Sequence, residues 1–205
     1  MKREDFFTTW SESHGGAEIS GIVKAWLNIS YIIVKPLMKI RITPNSLTLL
    51  GLFFGVALYL NAKSIWAPVL LVLSLTCDGV DGTLAIVSGK SSKWGAVLDS
   101  LVDRITEVFW VLALYKIGAD LYLLIVVAVF ALLQEYLRAR AAGLGLAQVG
   151  IVTFAERPVR ASFIFVSLIA WQIKMPIINQ ITLLWLLLQV VSFMMVSRFT
   201  YQHLN

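Results

Sequence analysis

The chain has 205 residues, of which 59% are hydrophobic and 14% charged, and its mean hydropathy is +0.81; soluble domains carry roughly twice that charge fraction. Apolar runs at 121–133 and 181–196 leave no polar face for water, so lipid is the solvent for most of the chain and a soluble globular fold is excluded. The net charge of +5 comes from basic residues scattered between apolar segments, which excludes a nucleic-acid surface, and the single Cys77 excludes an internal disulfide.

Residues 1–17 read as a polar N-terminal tail of mixed charge, with no apolar core behind a basic start, unlike a cleavable signal peptide. Residues 18–41 read as a helix lying in the membrane interface. Within it Ile22, Val23, Trp26, Leu27 and Ile29 are interleaved with Lys24, Lys35 and Lys39, and Pro36 interrupts the run. The remainder, 42–205, reads as one all-α integral membrane domain of six transmembrane helices, at 46–61, 66–87, 95–117, 121–142, 159–172 and 177–198. Thr43-Pro44-Asn45 opens the first with a capping hydroxyl, then a proline where its missing N–H costs nothing. Residues 89–94 form the turn between the second and third. With the N-terminus inside, fourteen Lys and Arg residues fall on the cytoplasmic side, against Lys63, Lys116 and Lys174 on the other. That bias predicts cytoplasmic termini at both ends.

Asp78 and Asp81 lie in the second span and Asp99 and Asp103 in the third. A carboxylate within a span costs several kcal/mol unless paired, metal-bound or wet. The i, i+3 and i, i+4 spacings put each pair on one helix face. A hairpin turning near Lys90 brings the pairs level with each other, about 10 Å below the cytoplasmic surface. Four like charges at one level need a cation, and carboxylates without His or Cys suit Mg²⁺, Mn²⁺ or Ca²⁺ rather than zinc. Gly79, Gly82 and Gly95 leave room for a ligand beside the acids.

Asp78-x2-Asp81-Gly82-x2-Ala85 followed by Gly95-x3-Asp99-x3-Asp103 resembles the signature of the CDP-alcohol phosphatidyltransferase family, with seven fixed identities at fixed spacing. The resemblance extends over 40–205. It departs at Ile86, where the family usually has arginine directly after the alanine. The resemblance implies that Asp78, Asp81 and Asp99 bind two divalent ions, Mg²⁺ or Mn²⁺, on the diphosphate of a CDP-lipid. Asp103 would be the general base on the acceptor hydroxyl, also touching metal. Asn45, Gly82, Ala85 and Gly95 would border the nucleotide of CDP-diacylglycerol, and a homodimer in the bacterial cell membrane is implied as well.

Arg138 and Arg140 end the fourth span, and Arg157 and Arg160 open the fifth. Forked guanidinium groups suit phosphate. Tyr136-Leu137-Arg138-Ala139-Arg140-Ala141 and Glu156-Arg157-Pro158 are similar to the branch of the family that makes phosphatidylinositol phosphate from inositol phosphate. The expected reaction is transfer of a phosphatidyl group from CDP-diacylglycerol to a phosphorylated alcohol, with release of CMP. Glycerol 3-phosphate and phosphatidylglycerol are alternative acceptors, and a divalent-cation transporter is the competing class. His14 and His203 lie outside this chemistry. Glu107 continues the Asp99/Asp103 stripe, and Glu135 is expected to pair with one of the arginines.

Overall fold

The computed structural model describes residues 1–13, 16, 18–146 and 151–204, with the side chain of Ile22 excepted. Among them are eight α-helices and no strand: α1 (Arg3–Ser13), α2 (Gly21–Lys39), α3 (Pro44–Leu60), α4 (Ala67–Val87), α5 (Lys93–Lys116), α6 (Leu121–Gly143), α7 (Arg157–Gln172) and α8 (Ile178–Leu204).

Three of these, α4, α6 and α8, are long and apolar enough to cross a membrane; a fourth crossing arises if α2 and α3, bent by 109° at their junction, count as one broken span. The expected count of six is not reached on that measure, for two physical reasons. α3 and α7 have 17 and 16 residues, a rise of about 24–26 Å against a hydrocarbon core of about 30 Å. α5 is long, but Asp99, Asp103, Arg104 and Glu107 lower its hydropathy.

The segment read as a polar tail holds helix α1. Phe6 is fully buried and stacks on Tyr31 with ring centroids 5.7 Å apart. The Tyr31 hydroxyl donates to the Met1 carbonyl at 2.8 Å.

The chain divides into two compact units, residues 1–54 with 72–106, and residues 55–71 with 107–205. In the first, Phe6 of α1, Leu27, Tyr31 and Val34 of α2, Leu47 of α3, and Val80, Leu84 and Val87 of α4 form one apolar core. Small residues let α3 and α4 approach closely: the Ser74 hydroxyl donates to the Gly51 carbonyl at 2.8 Å, and a Cβ on Gly51 would lie 3.3 Å from the Ser74 carbonyl oxygen. The Thr43 hydroxyl caps α3 by accepting from the Ser46 amide at 3.2 Å, as its sequence predicts. In the second unit α6, α7 and α8 pack together. A buried amide pair joins α6 to α8, with Gln189 Nε2 donating to Gln134 Oε1 at 2.8 Å.

Candidate active site

The site is built in the first unit on the hairpin of α4 and α5. Gly89, at φ 65°, ends α4 in the left-handed conformation; its amide donates to the Ile86 carbonyl at 3.1 Å and the Lys90 amide to the Ala85 carbonyl at 2.9 Å. Ser92 then caps α5, its hydroxyl accepting from the Gly95 amide at 3.0 Å. These two closures set the register in which the aspartates face each other.

One carboxylate oxygen each from Asp78, Asp99 and Asp103 lies within 4.8 Å of the others. Oxygens on opposite sides of one cation are separated by twice the metal–oxygen distance, about 4.2 Å for Mg²⁺ and about 4.6–5.2 Å for Ca²⁺. The three acids therefore fit a hard divalent cation with a small adjustment of rotamer, and the donor set is all oxygen. Asp81, 5% exposed, is placed differently: its Oδ2 accepts a 2.5 Å hydrogen bond from the Thr48 hydroxyl of α3. Arg104 lies 3.6 Å from Asp103.

Beside the acids is a cavity of about 220 Å³, lined in part by Asp81 and Asp99. Asn45, Gly82, Ala85 and Gly95, the residues that the family resemblance assigns to the nucleotide, all line it. Whole-ligand clefts hold about 300–1,000 Å³, so this cavity fits one part of a large substrate. A Cβ on Gly82 would meet nothing within 4 Å, whereas one on Gly95 would lie 3.0 Å from Ser92 Oγ and 3.3 Å from Asn45 Oδ1. Gly79 faces away from this space: a Cβ there would lie 2.5 Å from Trp26 Cζ2 of α2. Ser13, at the end of α1, also lines the cavity. No sequence signal marks it, because residues 1–17 read as a polar tail.

The arginines belong to the second unit, where Arg157 and Arg160 share Glu107 and Arg138 lies 3.7 Å from Glu135. Arg138 donates to both carboxylate oxygens of Glu156, at 2.9 and 2.6 Å, and to the Ile151 carbonyl at 3.1 Å. Glu156 also accepts from the amide and the hydroxyl of Thr153, at 2.8 and 2.7 Å. Burial alone would push the Glu156 carboxyl up, but the hydrogen bonds from Arg138 and Thr153 outweigh it and hold the group below the usual carboxylate range. Arg160, 1% exposed, meets Glu135 at 2.9 Å and Glu107 at 3.3 Å. Arg157 lies 3.5 Å from Glu107 and over the Trp110 ring at 5.1 Å. Glu135 thus pairs most closely with Arg160, and Glu107 joins the arginines of α7. Arg140 is exposed. His203 stacks on Phe199, and His14 lies outside the described residues.

Comparison with known proteins finds similar chains. The phosphatidylinositol phosphate synthase of Corynebacterium glutamicum is 46% identical over 79 residues, which are 37% of this chain and 36% of that enzyme. The phosphatidylinositol phosphate synthase of Cutibacterium acnes is 32% identical over 160 residues, 72% of this chain and 74% of that one. The fold is similar to that of Mycobacterium tuberculosis phosphatidylinositol phosphate synthase in a crystal structure with CDP-DAG bound, with a TM-score of 0.69 at 23% identity over 85% of this chain and 94% of the other. The family model for CDP-alcohol phosphatidyltransferase matches residues 41–202, which include every aspartate of the cluster and the whole cavity hairpin, and the chain belongs to that family.

Proposed function

We propose that the chain transfers the phosphatidyl group of CDP-diacylglycerol to a hydroxyl of inositol phosphate and releases CMP. The convergence of Asp78, Asp99 and Asp103 beside the cavity of Asn45, Gly82, Ala85 and Gly95 carries the reading. The activity named for the relatives from C. glutamicum and C. acnes supports the choice of acceptor.

Asp78, Asp99 and Asp103, with Asp81 beside them, would hold two divalent cations, Mg²⁺ or Mn²⁺, which when bound neutralise the diphosphate and stabilise CMP as leaving group. Asp103 takes the proton of the acceptor hydroxyl as that oxygen bonds to the phosphorus carrying diacylglycerol. The bond from that phosphorus to the CMP oxygen breaks, and CMP leaves with the electron pair. The cavity receives the cytidine end, while the acyl chains stay in lipid. Arg157 is assigned to the acceptor phosphate, and Arg160, buried between Glu107 and Glu135, is assigned to holding that end of α7 in place. Arg138, held on two nitrogens by Glu156, is assigned to the structure of the α6–α7 connection rather than to the acceptor.

In this reading α3 to α8 all cross the bilayer, since the charges that lower the hydropathy of α5 are those of the site. The termini and the aspartates face the cytoplasm.

Protein purified in detergent is assayed for Mg²⁺- or Mn²⁺-dependent CMP release with inositol phosphate, glycerol 3-phosphate and phosphatidylglycerol as acceptors. CMP release with inositol phosphate is expected; release only with another acceptor overturns the acceptor, and release with none overturns the reaction. Asp103→Asn lowers kcat by at least about 100-fold, the scale of a lost general base, while Mn²⁺ still binds, more weakly, through Asp78 and Asp99. Retained turnover sinks the base assignment.

A further inference from the structure

We infer that Lys90 supplies the positive charge that meets the nucleotide-side phosphate of the CDP-lipid, in a cavity where the neighbouring Ile86 offers none. The inference rests on the reading of the cavity as a nucleotide site. Two carboxylates, Asp81 and Asp99, line that cavity, and Lys90 is the one cationic residue among its described lining. A phosphate approaching two acids needs positive charge on the protein side as well as from metal, because each uncompensated carboxylate repels it.

Ile86 cannot provide that charge. It lines the same cavity and packs against the apolar core that includes Val80 and Leu84. Lys90 lies four residues beyond it, and the backbone returns it to the same end of the hairpin. The left-handed Gly89 and the bond from the Lys90 amide to the Ala85 carbonyl, 2.9 Å, fold the chain back over the last turn of α4. Lys90 is exposed and makes no side-chain hydrogen bond or ion pair within the described residues. Its ammonium is a compact charge with three donors on a flexible stem, suited to a phosphate oxygen whose position varies with the lipid. Ser92, its neighbour in the cavity, already spends its hydroxyl on capping α5.

The test compares wild type, Lys90→Ala, Lys90→Arg and the double variant Lys90→Ala with Ile86→Arg. CMP release is measured against CDP-diacylglycerol at several salt concentrations, and CDP binding is measured by calorimetry. Lys90→Ala raises KM for the CDP-lipid about tenfold, the scale of one charge-assisted hydrogen bond, with the acceptor KM changed less than about twofold. It also flattens the salt dependence of the CDP-lipid KM. Lys90→Arg keeps most of the affinity, and Ile86→Arg restores it in the Lys90→Ala background. A CDP-lipid KM within about twofold of wild type for Lys90→Ala overturns the inference, as does a rise that neither arginine variant relieves. If wild type releases no CMP, the proposed reaction falls by itself, and CDP binding decides the residue. Equal affinity in wild type and Lys90→Ala, or no binding by either, overturns the role of Lys90.

Discussion

Three glycines around the acids have the same side chain and three different jobs. Gly79 is a contact: with a methyl group at 2.5 Å from Trp26 Cζ2 and 3.1 Å from Cε2, the Trp26 ring of α2 has to move. Overpacking in a core costs about 1–3 kcal/mol, less where the ring is part-exposed like Trp26, and Asp78 directly precedes Gly79 in the chain. Gly79→Ala is therefore expected to lower both the thermal midpoint in detergent and turnover. Trp26→Leu in the same chain should recover much of the midpoint, and an additive double-mutant cycle would show that the two residues do not touch. Gly82 is a space: a methyl group there meets nothing within 4 Å, so the fold tolerates it, but it occupies the cavity. Gly82→Ala should leave the thermal midpoint unchanged and raise KM for the CDP-lipid severalfold, the reverse of the pattern expected at Gly79. Gly95 is intermediate, because the atoms that a methyl group would meet are the polar tips of Ser92 and Asn45.

At the scale of elements, the connection from α6 to α7 shows what a spacing argument leaves out. Arg138 attracts notice as a phosphate ligand because it is basic and near a helix end. Its partner Glu156 is 18 residues away, and only the folded chain brings the two within 2.6 Å. The Glu156 carboxyl, held below the usual range by Arg138 and Thr153, stabilises the fold while it is ionised. A group with a depressed folded-state pKa contributes that stability above its unfolded value, about 4.3 for glutamate, and loses it as pH falls through the lower folded value. The difference in thermal midpoint between wild type and Glu156→Gln should therefore be constant from neutral pH down to about 5 and shrink only below about pH 4. A difference that vanishes above pH 5 would mean that the carboxylate is not held low. The helices α3 to α8 were legible because long apolar runs and the Thr43-Pro44 cap are local signals, and the aspartates because i, i+3 and i, i+4 spacing is a local signal too. Helix α1 was not legible. Phe6, Phe7 and Trp10 stand in a polar context, and an isolated helix of 11 residues is marginal in water. Burial of Phe6 against Tyr31 decides it.

At the scale of the whole molecule, the proposed orientation in the bilayer rests on charge. Placing the N-terminus in the cytoplasm puts fourteen basic residues on that side and Lys63, Lys116 and Lys174 on the other; the reverse orientation would require translocating most of the positive charge. With the N-terminus inside, the α4–α5 turn would face the cytoplasm, which cysteine labelling tests. Cys77 is the one native cysteine and is 8% exposed, so the chain has little background for thiol labelling. Single cysteines replace Lys93 and Arg140 on one side, and Lys63 and Lys174 on the other, and intact cells are treated with a membrane-impermeant maleimide. Lys63→Cys and Lys174→Cys should label from outside, while Lys93→Cys and Arg140→Cys label only after the membrane is opened. Because the six-span reading puts three crossings, α5, α6 and α7, between Lys93 and Lys174, labelling of Lys93→Cys and Lys174→Cys from the same side would remove a span between them. Labelling of Lys93→Cys from outside, with Lys63→Cys protected, would invert the orientation and move the aspartates away from a cytoplasmic acceptor.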